Sequence, residues 1–209
     1  MNNTQFKSWL KAPSQTLIMG ILNVTPDSFS DGGKLDTPEQ AAAYAIKMVE
    51  DGAHIIDIGG ESTRPGAKPV SLDEELNRTA PVIEAIRNQS DCIISIDTYK
   101  SEVAAGALDA GANMVNDISG FTFDEGMAPL VAQKEVPVVI MHIKGTPMDM
   151  QKEPNYDHLI REIKEYFTVQ IASAKEAGIH DFNIILDPGI GFGKRLEDNF
   201  ELIRELKQI

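Results

Sequence analysis

Short apolar runs alternate along the chain with longer amphipathic segments. The apolar runs are rich in Ile and Val and mostly lack the two-residue alternation of a half-exposed sheet, which is typical of buried parallel strands. We predict strands at 16–22, 53–58, 92–96, 113–116, 136–141 and 182–186. The amphipathic segments between and after them predict helices at 38–51, 72–88, 101–110, 124–134, 157–178 and 198–207.

Capping residues mark several ends of these predicted helices. Thr37 followed by Pro38, and later Ser71, are residues that begin helices well. A glycine just beyond a helix favours the left-handed conformation that ends it, and we expect this of Gly52, Gly111 and Gly178.

Repeated strand–helix units form either a doubly wound sheet or a (β/α)8 barrel, and the polar residues favour the barrel. Nearly every predicted strand ends in a polar group, with Asn23, Asp57, Asp97, Asn116, His142 and Asp187 among them. A barrel draws its active site from many strand ends, whereas a doubly wound sheet uses one switch point. Because eight units at this spacing need roughly 260–280 residues, we expect a single barrel domain over 1–209 with about six units, lacking the last two.

Composition narrows the functional classes. The 209 residues are 42% hydrophobic and 24% charged, as in one soluble globular domain, and no apolar run is long enough to span a bilayer. Cys92 is the only cysteine, so we expect a buried inert thiol, no intrachain disulfide and a cytoplasmic protein. The net charge of −13 disfavours nucleic acid and anionic membranes as partners. A phosphate site would need backbone amides or a metal.

Three glycine-containing segments follow predicted strands, at 20–33, 57–66 and 186–194. The first could wrap an anion or supply a metal ligand such as Asn23, or could simply form turns. In the second, Ser62, Thr63 and Arg64 could contact phosphate oxygens, or Arg64 could pair with a carboxylate in a surface loop. The third fits neither a dinucleotide nor a Walker loop, because its glycines fall at 189, 191 and 193.

Single residues allow structural alternatives as well. Asp97 could cap a helix, Asn116 and Asp117 could close a turn, and His142 could be a hydrogen-bonded residue of the barrel rim. The scattered histidines form no zinc-ligand spacing. Asp97, Asn116 and His142 nevertheless recur at one predicted face of the barrel, and this recurrence favours a functional site over separate structural roles.

Six of these motifs, in order, closely resemble dihydropteroate synthases. They are GILNVTPDSFSDGG, DIGGESTRPG, SIDTYK, VNDISG, MHIKGTPMDMQ and DPGIGFGK, and the resemblance runs from about Ile18 to the last residue. It implies a (β/α)8 barrel and a transferase of folate biosynthesis. Such an enzyme condenses 6-hydroxymethyl-7,8-dihydropterin pyrophosphate with p-aminobenzoate and releases pyrophosphate.

The resemblance also implies roles for individual residues. Asp97, Asn116 and Asp187 match the pterin-binding and catalytic set, and Met141 would line the pterin slot. Asn23 matches a Mg²⁺ ligand, and Thr63, with Ser62 and Arg64 beside it, matches the pyrophosphate-binding loop. Phe29, Pro65 and Phe192 match the walls around p-aminobenzoate, where sulfonamides compete.

Basic motifs of the family's seventh and eighth strands do not occur in these residues, so we expect the parent protein, a homodimer, to be active rather than this stretch alone. Two other functions stay open. One is a methyltransferase-like pterin-binding barrel, which would not need the Asn23 and Glu61–Arg64 loops. The other is a fragment that binds pterin without turnover.

Overall fold

The structure, a computed structural model, describes residues 1–25 and 37–209. These residues form two compact units. The first consists of Met1–Ser62 and Pro69–Asn116, and the second of Thr63–Lys68 and Asp117–Ile209. The prediction of one domain over the whole chain stays a prediction. No helix in the described part is both long and apolar enough to cross a bilayer.

The first unit is built on parallel strands joined by helices. Its elements are α1 (Asn3–Lys11), β1 (Met19–Asn23), α2 (Pro38–Glu50), β2 (Ile55–Gly59), α3 (Leu72–Arg87), β3 (Ile93–Asp97), α4 (Ser101–Asp109) and β4 (Met114–Asp117), whose last residue is counted with the second unit. The strands are neighbours in chain order, and each pair is parallel. Parallel pairing requires a crossover between consecutive strands, and each crossover here contains a helix.

The second unit repeats this pattern. It contains α5 (Met127–Lys134), β5 (Val138–Met141), α6 (Leu159–Glu176), a 3₁₀ turn (Asp181–Asn183), β6 (Ile184–Asp187), α7 (Leu196–Glu205) and a final 3₁₀ turn (Leu206–Gln208). Strands β5 and β6 are parallel, with Val138 opposite Ile184. All six predicted strands and all six predicted helices are therefore present, with ends that differ by a few residues.

The predicted caps are confirmed. The hydroxyl of Thr37 accepts a hydrogen bond from the Gln40 N–H, and that of Ser71 accepts one from Glu74. The glycines beyond three helices have positive φ angles of 115°, 117° and 99°, at Gly52, Gly111 and Gly178.

Helix α1 was not among the predictions, although the sequence carries its signal. Asn2 and Gln5 form a reciprocal capping box, each side chain accepting a hydrogen bond from the other's backbone N–H. Phe6 is fully buried and stacks on Trp9, with ring centroids 6.1 Å apart. One buried aromatic thus anchors a short helix whose other residues are mostly polar.

The expectation that all strands are buried is wrong for two of them. Every residue of β2 and of β5 is buried, and so is most of β3. In contrast, β1 contains one buried residue, Leu22, and β6 contains none. Each of these two strands has a single paired neighbour in the described part of the chain, so fewer side chains cover it. Cys92, as predicted, is a buried free thiol.

Arg87 ties together the chain segments that lead into β3 and β4. Its guanidinium donates hydrogen bonds of 2.8–3.1 Å to the carbonyl groups of Gly111, Ser90 and Cys92 and to the side chain of Asn113. The Asn113 amide oxygen in turn accepts the N–H of Ile94. These contacts satisfy backbone groups at the amino-terminal ends of both strands, so we expect them to contribute strongly to stability.

We predict that Arg87→Met lowers the free energy of unfolding by about 2–4 kcal/mol, because several partly buried carbonyl groups lose their donors. Urea denaturation followed by far-ultraviolet circular dichroism measures the change. Lys47→Met is the control, since Lys47 pairs with Asp51 on an exposed helix surface and should matter little. Equal midpoints for the two variants would contradict the prediction.

Candidate functional site

The pairing of the first four strands places three predicted site residues in one row. Asn23 of β1 is opposite Gly59 of β2, Gly59 is opposite Asp97 of β3, and Asp97 is opposite Asn116 of β4. Side chains at equivalent positions of neighbouring parallel strands point to the same face. Asn23, Asp97 and Asn116 therefore face the same way at the carboxyl ends of their strands, where an α/β protein binds its ligands.

Gly59 is the member of this row that has no side chain, and the space is needed. A Cβ atom built on Gly59 would lie 3.0 Å from the Asn23 Oδ1 atom and 3.3 Å from the Asp97 Oδ2 atom. The amide oxygen and the carboxylate oxygen thus converge on the backbone of β2. Any larger residue would push them apart, so the glycine preserves the spacing of two polar groups.

Asp57, one of the polar strand ends noted in the sequence but given no role there, belongs to the same site. It lies two residues before Gly59, on the same face, and is only 2% exposed. The Asn116 Nδ2 atom donates a hydrogen bond of 3.0 Å to the Asp57 Oδ2 atom. This bond orients the Asn116 amide. A lone carboxylate inside the apolar run of β2 was the available signal.

The alternative in which Asp97 caps a helix is wrong. The residue at the N-cap of α4 is Lys100, with no capping hydrogen bond from its side chain. Asp117, in contrast, does close a turn, because its buried carboxylate accepts hydrogen bonds from the N–H groups of Ser119 and Phe121 and from the Ser119 hydroxyl. Of the two turn candidates, therefore, Asn116 belongs to the polar row and Asp117 to local structure.

The loop after β2 carries the candidate phosphate-binding residues. Ser62 and Thr63 are half-buried, whereas Arg64 and Pro65 are exposed. The Ala67 N–H donates to the Arg64 carbonyl at 3.0 Å, and the Gly66 N–H donates to the carbonyl of Pro147 at 2.9 Å. Side-chain donors in this loop are thus accessible to an incoming anion.

In the second unit, Met141 and Asp187 lie opposite each other at the ends of β5 and β6. The Asp187 carboxylate accepts the N–H of Gly189 at 2.8 Å, and its carbonyl accepts the N–H of His142 at 2.9 Å. Met141 is 3% exposed. Backbone hydrogen bonds thus orient Asp187, while the thioether of Met141 is packed among other side chains.

Lys194 is a second residue that the sequence-based site did not include. It ends the GFGK segment and is 2% exposed. Its Nζ atom lies 3.1 Å from the His142 Nδ1 atom, 3.2 Å from the His142 carbonyl oxygen and 3.0 Å from the Phe192 carbonyl oxygen. These three contacts match the three protons of an ammonium group. Lys194 thereby fastens the segment containing Phe192 to the end of β5.

The lysine also determines which nitrogen of His142 carries the proton. An ammonium group has no acceptor, so the Nδ1 atom of His142 accepts and its proton lies on Nε2. Burial, together with the charge of Lys194, lowers the pKa of His142 to about 3. Burial also lowers the pKa of Lys194, to about 8, against the opposing influence of the Asp187 charge. The expectation that His142 is a hydrogen-bonded residue at a strand end is confirmed.

Phe192 is half-buried, and its N–H donates to the Gly189 carbonyl at 3.0 Å. A Cβ on Gly189 would overlap the His142 carbonyl group, and the φ angle of Gly189 is 68°. Glycine is therefore required where this loop approaches β5. Phe29, the other predicted aromatic wall, lies outside the described residues.

Asn23 is the residue of this row that could hold a metal ion. No three His, Cys, Asp or Glu side chains are grouped to hold a metal in residues 1–25 and 37–209. Magnesium, however, often takes only one or two protein oxygens and keeps its other ligands from water and substrate phosphates. Asn23 is exposed at the end of β1 and offers one such oxygen.

Comparison with known proteins identifies a family. The profile described as "Pterin binding enzyme" matches residues 19–209. The dihydropteroate synthase of Synechocystis sp. is 52% identical over 195 residues, which cover 93% of this chain and 68% of the relative. That of Bacillus subtilis is 50% identical over 200 residues, which cover 96% of this chain and 68% of the relative.

A solved structure agrees. The crystal structure of Yersinia pestis dihydropteroate synthase in complex with a sulfonamide drug superimposes with a TM-score of 0.88 at 45% identity. The match covers 93% of this chain and 70% of that one. This likeness confirms the predicted (β/α)8 barrel class, of which six strand–helix units occur in the described residues.

We predict that His142 makes the protein less stable as the pH falls from about 6.5 towards 3. Over this range the unfolded chain binds a proton at this histidine that the folded protein does not, so the free energy of unfolding decreases by at most ~1.4 kcal/mol per pH unit. His142→Gln should remove that part of the slope in urea titrations. His158→Gln, at an exposed histidine, is the control for a histidine-to-glutamine change as such.

Proposed function

The chain belongs to the pterin-binding enzyme family, and on that premise we propose that it acts as a dihydropteroate synthase. In this reaction the amine of p-aminobenzoate attacks the methylene carbon of 6-hydroxymethyl-7,8-dihydropterin pyrophosphate. A carbon–nitrogen bond forms, the carbon–oxygen bond to pyrophosphate breaks, and the amine loses a proton.

The row of Asn23, Gly59, Asp97 and Asn116 is the observation that carries this proposal. A pterin presents adjacent amide and amino N–H groups along one edge, and a carboxylate such as Asp97 can accept two of them side by side. Asn116 offers both a donor and an acceptor to the ring, with its amide plane held by Asp57. Such fixed polar groups recognise a flat heterocycle without having to reorganise.

The remaining roles are those of the family, and they stay proposals for this chain. Asp187, a second carboxylate at a strand end, would stabilise positive charge on the pterin as the leaving group departs. Met141 would contact the ring. Thr63, Ser62 and Arg64 would bind the pyrophosphate, while Pro65, Phe192 and Phe29 would enclose p-aminobenzoate. Sulfonamides would then compete with that substrate.

Mg²⁺ is the cofactor that we propose, with Asn23 as its protein ligand. When bound, the ion would supply positive charge beside the pyrophosphate, which an acidic chain otherwise lacks. Asn23 itself contributes a neutral oxygen at the rim of the site, next to the carboxylate of Asp97.

The substrates that we propose are small molecules, and we propose further that the protein is a homodimer in the cytoplasm. The single cysteine agrees with a reducing compartment. Light scattering coupled to size-exclusion chromatography gives the oligomeric state directly.

We predict that Asp97→Asn lowers kcat/KM for dihydropteroate formation by about 100-fold or more, because an amide cannot accept two N–H bonds side by side. The protein is expressed from its complete reading frame, and product is measured by chromatography. Asp91→Asn is the matched control, since Asp91 is exposed just before the same strand.

A normal rate for Asp97→Asn would overturn the pterin-binding role. Wild-type protein that binds dihydropterin pyrophosphate but forms no product would instead favour the non-catalytic pterin-binding alternative. Methyl transfer from a methylated folate would favour the methyltransferase-like alternative.

We predict that Asn23→Ala raises the Mg²⁺ concentration needed for half-maximal activity by about tenfold, since the ion loses a protein oxygen. Activity is measured while Mg²⁺ is titrated into chelator-treated enzyme. Asn77→Ala, on an exposed position of α3, should leave the Mg²⁺ dependence unchanged. Full activity of the chelated wild type would contradict the proposed cofactor.

A further inference from the structure

A nearly buried ion cluster lies beside the row of site residues, in the first unit. The Lys100 Nζ atom is 2.6 Å from the Glu61 Oε2 atom, 2.5 Å from the Glu75 Oε2 atom and 2.9 Å from the Val70 carbonyl oxygen. Its three protons thus have three acceptors. Lys100 is 18% exposed, Glu61 9% and Glu75 1%, so the cluster is largely shielded from water.

The carboxylate of Glu61 also accepts several hydrogen bonds. Besides the lysine, its carboxylate accepts the Tyr99 hydroxyl at 2.8 Å and the Val70 N–H at 3.1 Å. Burial alone would lower the pKa of Lys100, yet the hydrogen bonds and charges of Glu61 and Glu75 outweigh it and raise the pKa. Lys100 therefore stays charged, and the cluster keeps one ammonium between two carboxylates.

The cluster joins the two ends of one loop. Glu61 immediately precedes residues 62–69, and Val70 immediately follows them. Lys100 contacts Glu61 and Val70 at once, and Glu61 also contacts Val70 directly. The loop between them contains Ser62, Thr63, Arg64 and Pro65, all of which are candidate substrate-binding residues. Closing the ends of a loop restricts the conformations that the loop can adopt.

The first end of the loop is also fixed on α3. A Cβ on Gly60 would lie 2.8 Å from the Thr79 Cγ2 atom and 3.0 Å from the Glu75 carbonyl oxygen, so the backbone packs directly on that helix. Arg78 donates a hydrogen bond of 2.7 Å to the Gly60 carbonyl and pairs with Glu74. These contacts hold the end of β2 against α3, and the ion cluster holds the adjoining residues Glu61 and Val70.

Lys100 is three residues after Asp97, in the short segment that leads from β3 into α4. The same segment therefore supplies both a carboxylate of the site row and the cation of the cluster. We propose that Lys100 is a positioning residue that closes the 62–69 loop at its base by holding Glu61 and Val70 together. This inference rests on the proposed function, since it assigns the loop to substrate pyrophosphate.

A cluster that only stabilises the fold would behave differently from one that positions the loop. Breaking a stabilising cluster lowers the melting temperature and speeds hydrogen exchange throughout the unit. Breaking a positioning cluster selectively releases the loop amides and weakens the binding of the ligand that the loop contacts. Arg87→Met is the reference for a general loss of stability, because Arg87 lies at the amino-terminal ends of β3 and β4, away from the cluster.

Glu61→Gln tests the proposal, since it keeps the size of the side chain and leaves Lys100 paired with Glu75. We expect the rate of hydrogen exchange at the amides of residues 62–70 to rise by a factor at least ten times larger than at the other amides of the first unit. We expect KM for dihydropterin pyrophosphate to rise about tenfold, with kcat changed less than threefold. Tyr99→Phe, which removes one hydrogen bond but no charge, should change both quantities in the same direction by a smaller factor.

Three results would overturn the proposal. They are unchanged exchange in Glu61→Gln, a uniform rise like that of Arg87→Met, or a selective rise with KM unaltered. The proposed function fails separately, if the wild-type protein forms no dihydropteroate. In that case the exchange data still decide whether the cluster holds the loop.

Discussion

The register of the parallel strands is the constraint on which the candidate site depends. Because β1 to β4 pair without offset, Asn23, Gly59, Asp97 and Asn116 reach the same level at their carboxyl ends. A slip of one residue in any strand would turn its polar end residue to the opposite face. The buried isoleucines of β2 and β3 prevent such a slip, since they would exchange places with Asp57 and Ser95.

Two basic residues hold chain segments at opposite ends of this part of the sheet. Arg87 holds the segments that enter β3 and β4 through neutral carbonyl and amide groups. Lys100, at the other end, binds two nearly buried carboxylates. A planar guanidinium suits several carbonyl groups spread over an edge, whereas a compact ammonium suits acceptors that converge on one point. The lysine near the site is thus paired mainly with charged acceptors, and the arginine at the far ends with neutral ones.

The sequence predicted the order and kind of the elements well, because apolar runs and caps are local properties. It also predicted that polar groups meet at strand ends, since parallel strands share a direction. The roles of Asp57 and Lys194 were not predicted, because they come from partners distant in sequence, 59 and 52 residues away. The exposure of β1 and β6 was not predicted either, since it depends on how many neighbouring elements cover a strand.

Under the proposed function, an acidic chain would bind an anionic substrate, and its charges would have to be divided between the two halves of that substrate. In that proposal Asp97 would accept N–H groups of the pterin, whereas the negative charges of Asp57 and Asp97 would both repel a pyrophosphate. Lys100, held between Glu61 and Glu75, cannot supply a compensating charge, because its three protons already have acceptors. Under the proposed function, recognition of the two halves of the substrate would be divided. Asp97 and Asn116 would bind the ring, while the exposed Arg64, hydroxyl groups of the 62–69 loop and a cation at Asn23 would bind the phosphates. Phosphate binding would then depend on the conformation of the 62–69 loop as well as on its residues.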